Sequence, residues 1–139
     1  MQCLPARMRT LILFILLLPL PAVADQYDRI LDAIAKVETG VRPTAVGQRG
    51  EQSRFQILPS TWARFSRENQ QTATNAETRR VARLVLAEIE AVRLRRGLRT
   101  DAYGLALGWN AGPRARKYSA ATLDYAERVD ALASQPEQS

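Results

Sequence analysis

Apolar residues recur every three or four positions along several segments of the chain. That spacing places them on one face of an α-helix, so each such segment is predicted to be a helix that packs against a core. Two shorter signals add further helices: a proline followed by Ser-Thr-Trp, and an aspartate that precedes an apolar run. The predicted helices, in chain order, are 25–38, a short one from Pro59 that carries Trp62 and Phe65 inward, 77–96, one capped by Asp101, and 122–133.

One segment, between the first two predicted helices, departs from helical spacing. Gly40 supplies a natural end for the first helix, and Pro43 prevents its resumption nearby. Further on, Gly47 and Gly50 flank two polar residues, a pattern typical of a tight turn. The sequence therefore predicts a mainly helical, all-α fold with at most a small hairpin or irregular loop at about 44–57.

Residues 1–24 have the features of a secretory signal peptide. Arg7 and Arg9 form a positive start, 11–20 is an apolar core, and 22–24 (Ala-Val-Ala) supplies the small residues that a signal peptidase accepts. The apolar core is roughly half of the ~20 residues that a membrane-spanning helix needs, so an uncleaved anchor is the less favoured alternative. We expect export to the periplasm or the cell exterior.

Cleavage after residue 24 would leave 115 of the 139 residues, 25–139, which is enough for a single domain with one core. The only cysteine, Cys3, belongs to the predicted signal, and the chain has no histidine. These absences exclude disulfides, thiol nucleophiles and serine–histidine mechanisms from the mature chain, together with the commonest metal ligand. We therefore expect an enzyme of this composition to use carboxylates, hydroxyls, amides, arginine, lysine or a borrowed cofactor.

The mature chain is basic. Two of the 20 basic residues and none of the 14 acidic residues lie in the predicted signal, so the mature net charge is +4. Such a charge favours an anionic partner, although solubility alone explains it equally well. Arginine-rich stretches at 79–80, 93–99 and 114–117 are most simply solvated faces, and without interleaved exposed aromatic residues we expect no nucleic-acid partner.

Glu38 is the candidate for acid–base chemistry. It lies eleven residues, or about three helical turns, after Tyr27, and so close to the apolar stripe of the first predicted helix. It also lies at the helix C-terminus, where the macrodipole is negative. Burial and that negative end both raise a carboxyl pKa, as a general acid for glycosidic bond cleavage requires. The position of Glu38 alone is also compatible with an ordinary glutamate that is solvated or paired with an arginine.

Glu38 begins a series of motifs in a particular order. They are 38–40 (Glu-Thr-Gly), 43–47 (Pro-Thr-Ala-Val-Gly), 56–62 (Gln-Ile-Leu-Pro-Ser-Thr-Trp), 105–113 (Leu-Ala-Leu-Gly-Trp-Asn-Ala-Gly-Pro) and 125–129 (Tyr-Ala-Glu-Arg-Val). Through the order and spacing of these motifs rather than any single one, the chain resembles the soluble lytic transglycosylase family of the lysozyme-like superfamily over about 30–129. Members of that family carry Glu-Ser-Gly, a glycine-rich loop ending in a Gly-Leu-Met-Gln-Ile-like segment, Tyr-Asn-Ala-Gly-Pro and a late tyrosine.

The resemblance implies a lysozyme-like domain that cleaves peptidoglycan between N-acetylmuramic acid and N-acetylglucosamine. Glu38 matches the family's acid/base, which forms a 1,6-anhydromuramyl end without a nucleophilic carboxylate or a metal, so the resemblance implies no cofactor. Gln56 matches a cleft glutamine, Asn110 a cleft asparagine, and Tyr125 the tyrosine beside the acid. The implied partner is the glycan strand, with an envelope-spanning secretion or cell-wall machine as a further candidate, and we expect a monomer.

The chain also departs from the family pattern. Thr39 stands where serine is usual, and its hydroxyl can serve similarly at the substrate. Ser53, Arg54 and Phe55 replace Gly-Leu-Met before the cleft glutamine, which removes a glycine's backbone freedom and places a cation for a peptide-stem carboxylate. Trp109 replaces a tyrosine and can stack on a sugar or fill the core. These changes affect the expected fit of the substrate more than the chemistry.

Other interpretations stay open. Glu51 could face Glu38 as a base, which would make the protein a lysozyme-type, inverting hydrolase of the same bond. Otherwise Glu51 is a solvated loop charge, and Glu88 on the long helix is expected to be ion-paired. Two non-enzymatic hypotheses are a catalytically inactive cell-wall-binding module and a protein that binds anionic polymers through its arginines alone.

Overall fold

The computed structural model describes residues 22–40 and 46–136, and over these residues the chain is all-α, as the sequence predicts. The β-pairing described there is a single bridge between Gln52 and Ile57. Residues 1–21 of the predicted signal peptide and 43–45 of the second motif lie outside the described residues. The five helices are α1 (Ala22–Thr39), α2 (Pro59–Phe65), α3 (Asn75–Arg95), α4 (Ala102–Ala111) and α5 (Ala120–Ala133).

Side chains that cap the helix N-termini explain where three helices begin. The Asp101 carboxylate accepts the Gly104 N–H at 2.9 Å, which confirms the predicted cap of α4. Thr74 caps α3 and Ser119 caps α5 in the same way. Because these two caps were not recognised in the sequence, both helices begin two residues earlier than predicted. Among the described helices, none combines the length and apolar character that crossing a membrane requires.

The core forms around α4, which packs on α3 and α5, while α1 packs on α5 and α3. The apolar stripes were correct in their main members but not in phase at every position. Helical spacing along α3 and α5 predicts that Leu84 and Leu123 face inward, yet both are more than one-third exposed, and Leu86 and Thr122 are buried instead. Helix α3 contacts both α1 and α4, so its buried surface is wider than the one-sided stripe that its periodicity suggests.

Ion pairs fasten α1 to α3 at the surface. Arg79 binds Asp28 at 3.1 Å and Asp32 at 2.9 Å, and Arg83 binds Asp28 at 2.6 Å. The guanidinium groups hold the pKa of Asp28 below its ordinary value, although partial burial opposes this. These side chains are partly exposed, so each pair contributes little to the stability of the fold.

The segment between α1 and α2 is held by a turn and a bridge. The Gly47 N–H donates to the Glu51 carbonyl at 2.8 Å, and the Gly50 N–H donates to the Gly47 carbonyl at 3.1 Å, which is the predicted tight turn. Gln52 and Ile57 then exchange two backbone hydrogen bonds of 3.1 and 3.0 Å. The small hairpin is therefore centred on 53–56, directly after the tight turn at 47–50.

Two residues of this hairpin adopt left-handed backbone conformations. Ser53 has φ +70° and Gln56 has φ +49°. Such a conformation is strained for a residue with a Cβ atom. Ser53 occupies the position where the resembled family has glycine, and its hydroxyl recovers part of the cost by accepting the Phe55 N–H at 3.3 Å. Phe55 is only 1% exposed, so burial of its ring holds the turn in place.

We expect Ser53→Gly to stabilise the protein by about 0.5 kcal/mol, because relief of the left-handed strain outweighs the greater freedom of glycine in the unfolded chain. The measurement is the urea concentration at half-unfolding. Ala63→Gly, at an exposed position inside α2, is the control and should cost about 0.5–1 kcal/mol. A loss of stability in Ser53→Gly equal to that of the control would contradict the strain.

Candidate active site

A cleft of about 820 Å³ lies between the hairpin segment and α3 and α4. Its lining includes five of the residues that the sequence singled out for chemistry or binding: Glu38, Glu51, Gln56, Trp109 and Asn110. These residues come from the end of α1, the hairpin and the end of α4, which are distant in the chain. The volume is in the range of small-molecule and cofactor sites in proteins.

Glu38 and Tyr125 are joined by a hydrogen bond at the cleft. The Tyr125 hydroxyl donates to Glu38 Oε1 at 2.8 Å, across 87 positions of the chain. The contact exists because the last turn of α1 packs on α5, where Tyr125 is buried. Burial and the adjacent carboxylate raise the pKa of Tyr125, so its hydroxyl stays protonated and acts as a donor.

The environment of Glu38 favours the protonated acid. Partial burial raises its pKa above the ordinary value, the Tyr125 hydrogen bond opposes that change, and the negative charge of Glu51 adds to it. The direction agrees with the expectation from helix phase, although the charge of Glu51 is a contribution that helix phase could not include. A carboxyl whose pKa is raised keeps its proton to higher pH and can donate it to a leaving oxygen.

Glu51 lies in the same cleft in the opposite electrostatic condition. The Arg49 backbone N–H donates to Glu51 Oε2 at 2.8 Å, and Arg49 Nε donates to Oε1 at 2.9 Å. Hydrogen bonding by its own backbone N–H, then by Arg49, holds the pKa of Glu51 below its ordinary value. Its side chain is only 14% exposed. The cleft thus contains one carboxyl that favours the proton and one that favours the charge.

Gly47 permits the close grouping of these hairpin side chains. A Cβ atom at this position would collide with the Glu51 carboxylate and lie 2.9 Å from Gln56 Oε1. The Gln56 amide also donates through Nε2 to the Ser53 carbonyl at 2.9 Å. Glycine at 47 therefore lets the loop backbone approach both side chains, and this position is not one that the sequence singled out for the site.

On the opposite wall of the cleft, Asn110 is held in place by a residue of α5. The Thr122 hydroxyl donates to Asn110 Oδ1 at 2.8 Å, and Thr122 in turn lies 3.0 Å from the Ser119 hydroxyl. Because the amide oxygen accepts from Thr122, the Nδ2 hydrogens are the donors that Asn110 can offer to a ligand in the cleft. Thr122 is a positioning residue that sequence reasoning missed, since a buried threonine near a helix start has no distinctive pattern.

An arginine buried behind the cleft supports the same wall. Arg93 is 1% exposed and donates through Nε to the Arg99 carbonyl at 2.7 Å and through a terminal nitrogen to the Tyr118 hydroxyl at 3.3 Å. Gly108 packs against it, since a Cβ there would lie 3.0 Å from Arg93 Cδ and 2.5 Å from Ile89 Cγ2. The interpretation of Arg93 as part of a solvated face is therefore wrong, because its guanidinium fastens the connector after α4.

Three residues predicted to bind substrate lie apart from the cleft lining: Tyr125, which is hydrogen-bonded behind Glu38, and Thr39 and Arg54. The Thr39 hydroxyl donates to the Ala35 carbonyl at 3.0 Å and reaches the Arg54 carbonyl at 3.4 Å, so it fastens α1 to the hairpin. Arg54 lies 5.6 Å from the Phe55 ring centroid and borders a separate depression of about 490 Å³. The left-handed turn explains this, since it sends Phe55 into the core and leaves Arg54 on the other side of the hairpin from the cleft.

The remaining charged groups of the cleft are ion-paired or lie at its edge. Arg64 on α2 binds Glu88 on α3, which agrees with the expected ion pair of Glu88, and Arg114 lines the cleft after α4. Over the described residues, no cluster of three or more acidic or cysteine side chains could hold a metal ion.

The raised pKa of Glu38 has a consequence for stability. A group whose folded pKa exceeds its unfolded pKa stabilises the protein below the unfolded pKa, and that contribution is lost as the pH rises through the folded pKa. We therefore expect Glu38→Gln to be more stable than the wild type at neutral pH. Its free energy of unfolding should be higher by about 1.4 kcal/mol for each unit by which folding raises the pKa of Glu38, and this difference should vanish towards about pH 4. Thermal unfolding across this range measures it.

The control for this prediction is Tyr125→Phe. Loss of the phenolic donor destabilises the Glu38 carboxylate, so the pKa of Glu38 should rise further and the wild-type pH dependence should become steeper. A difference between Glu38→Gln and the wild type that does not change with pH would show that burial leaves the Glu38 pKa unaltered.

Comparison of the chain with models of protein families, with curated proteins and with solved structures finds no match. The motif order at 30–129 therefore stands as a resemblance, and the chemistry of the cleft has to be argued from its own residues.

Proposed function

We propose that the protein is an exported peptidoglycan lytic transglycosylase that cleaves the β-1,4 bond between N-acetylmuramic acid and N-acetylglucosamine, with Glu38 as its acid/base. The observation that carries this proposal is a half-buried glutamic acid of raised pKa that faces a large cleft and is held by the buried Tyr125. The motif resemblance supports the choice of substrate. A partner machine in the cell envelope and a monomeric state are proposals that rest on the sequence alone.

The reaction begins with proton donation. Glu38 gives its proton to the glycosidic oxygen, the bond from that oxygen to C1 of the muramyl residue breaks, and positive charge develops on the sugar ring. The Tyr125 hydrogen bond then stabilises the Glu38 carboxylate that is left. This carboxylate accepts the proton of the muramyl 6-hydroxyl as its oxygen attacks C1. The 1,6-anhydro ring closes, Glu38 is protonated again, and no water is consumed.

The rest of the cleft suits an N-acetylated sugar strand. Asn110 offers its Nδ2 hydrogens to an acetamido or hydroxyl oxygen, because Thr122 occupies its Oδ1. Trp109 is half-buried and lines the cleft, where its ring can cover an apolar sugar face. Arg114 adds a positive charge at the same edge, which suits the carboxylates of peptide stems.

Simple hydrolysis of the same bond is less favoured by the geometry. A hydrolase of the inverting type needs a carboxylate that takes a proton from water. Glu51 lines the same cleft, but Arg49 donates hydrogen bonds to both of its oxygens and helps to lower its pKa. A carboxylate so stabilised is a weak proton acceptor, whereas Glu38 becomes a stronger base once it has given up its proton.

The test is digestion of purified cell-wall sacculi by the mature protein, followed by mass spectrometry of the soluble fragments. We expect anhydromuramyl ends, which are lighter by one water than reducing ends. Glu38→Gln should lose about 10²–10⁴-fold in rate, the usual contribution of a general acid/base. Glu127→Gln, an exposed glutamate on α5, is the control and should keep the wild-type rate.

Each of the other outcomes would contradict the proposal or assign the protein a different function. Wild-type activity in Glu38→Gln would refute the proposal. Reducing ends in the fragments would establish a hydrolase instead of a transglycosylase. Binding to sacculi without release of fragments, unchanged by Glu38→Gln, would indicate a wall-binding module without catalysis.

A further inference from the structure

The second carboxyl of the cleft has no role in the reaction as described above. Glu51 is only 14% exposed, lines the same cleft as Glu38, and lies near enough for its charge to raise the pKa of Glu38. An acidic side chain so close to a general acid costs stability unless its charge is compensated. Arg49 compensates it with two hydrogen bonds, one from its backbone and one from its guanidinium.

Arg49 stabilises the negative charge of Glu51 but leaves the carboxylate able to accept further interactions in the cleft. Arg49 is 75% exposed at the rim of the turn, and each Glu51 oxygen accepts one hydrogen bond from it, although a carboxylate oxygen has two lone pairs. The backbone of Gly47 fits against the carboxylate because it has no Cβ atom. The tight turn, Gly47 and Arg49 thus hold the negative charge of Glu51 in a defined place at the cleft.

The remaining charged groups of the cleft do not match this arrangement. Glu88 is the third acidic residue of the lining, but it is 39% exposed and paired with Arg64 from a different helix. Arg114 is exposed at the edge of the cleft, and Tyr125 lies behind Glu38 as its donor. Among the charged groups of the lining, Glu51 therefore combines low exposure, a fixed orientation and electrostatic contact with Glu38.

We propose that Glu51 is a second catalytic carboxylate, whose fixed negative charge stabilises the positively charged sugar formed as the glycosidic bond breaks. This inference rests on the proposed glycosidase function and deepens it, since it assigns the stabilising charge to a residue outside the acid/base. A preorganised charge aimed at a developing opposite charge is often the largest single contribution to catalysis.

The chemical step keeps its balance with this addition. Glu38 supplies the proton for the leaving oxygen, and the C1–oxygen bond breaks with its electron pair going to that oxygen. Glu51 neither gains nor loses a proton. The attacking 6-hydroxyl returns its proton to Glu38 as the new C1–oxygen bond forms. Glu51 acts as a charge rather than as a base, because the hydrogen bonds from Arg49 oppose its protonation.

The pH profile of this pair follows from its two opposite shifts. Activity requires Glu51 ionised and Glu38 protonated, so it should fall at low pH as Glu51 takes up a proton and at high pH as Glu38 loses one. Since the charge of Glu51 raises the pKa of Glu38, its removal should also move the high-pH limb downward. That second effect distinguishes an electrostatic role from a merely structural one.

The experiment measures kcat, KM and the pH profile of Glu51→Gln on soluble glycan strands. We expect kcat to fall about 10²-fold or more, KM to stay within about threefold, and the high-pH limb to move to lower pH. Glu51→Asp keeps the charge and should recover part of both effects. Arg49→Gln should move the low-pH limb upward, because the pKa of Glu51 rises when the guanidinium is lost.

Glu77→Gln is the matched control. Glu77 is also 14% exposed, is paired with Arg80, and has a pKa lowered by that arginine, but it lies outside the cleft lining. Its variant should lose some stability and leave kcat and both pH limbs unchanged. The comparison separates loss of an arginine-paired carboxylate from loss of a charge at the reacting bond.

Three results would overturn the inference. A Glu51→Gln kcat within about threefold of the wild type would do so, as would a loss of rate with an unchanged high-pH limb. Wild-type products with reducing ends that vanish in Glu51→Gln would make Glu51 a base for water instead. An inactive Glu38→Gln beside a fully active Glu51→Gln removes this inference alone, whereas an active Glu38→Gln removes the proposed function as well.

Discussion

The packing of the last turn of α1 against α5 is the contact on which the candidate site depends. It places the Glu38 carboxyl beside the Tyr125 hydroxyl and removes both from much of the solvent. Burial then raises the pKa of Glu38, and the tyrosine hydrogen bond limits that rise. A carboxyl in this condition can both give and recover a proton. Ion pairs at the surface also join α1 to α3.

Two carboxyls of the cleft have pKa values shifted in opposite directions because their surroundings differ. Glu38 lies at a packed helix end, where burial dominates, while Glu51 lies in a tight turn with an arginine two residues away. Environments that move two acidic pKa values apart are a common way to assign different tasks to the same functional group. In this chain the arrangement depends on Gly47, because a larger residue would displace the Glu51 carboxylate.

The sequence was most informative where local rules decide the structure. The α4 cap at Asp101, the stop at Gly40 and the turn after Gly47 follow from side-chain hydrogen bonding and backbone freedom, which neighbouring residues determine. It was least informative where a residue's surroundings come from distant parts of the chain. Arg93 belongs to an arginine-rich stretch yet lies in the core, and Arg54 follows its hairpin away from the cleft.

The sequence by itself determined the all-α fold and the order of its helices, because periodicity and caps act over a few residues. It also restricted the available chemistry, since the chain has no histidine and its only cysteine lies in the predicted signal. Only the tertiary structure decided which side chains meet. It joined Glu38 to Tyr125 across 87 positions, fixed Asn110 through Thr122, and set a second, charged carboxyl in the same cleft. Those contacts arise from how helices pack, and no local pattern encodes them.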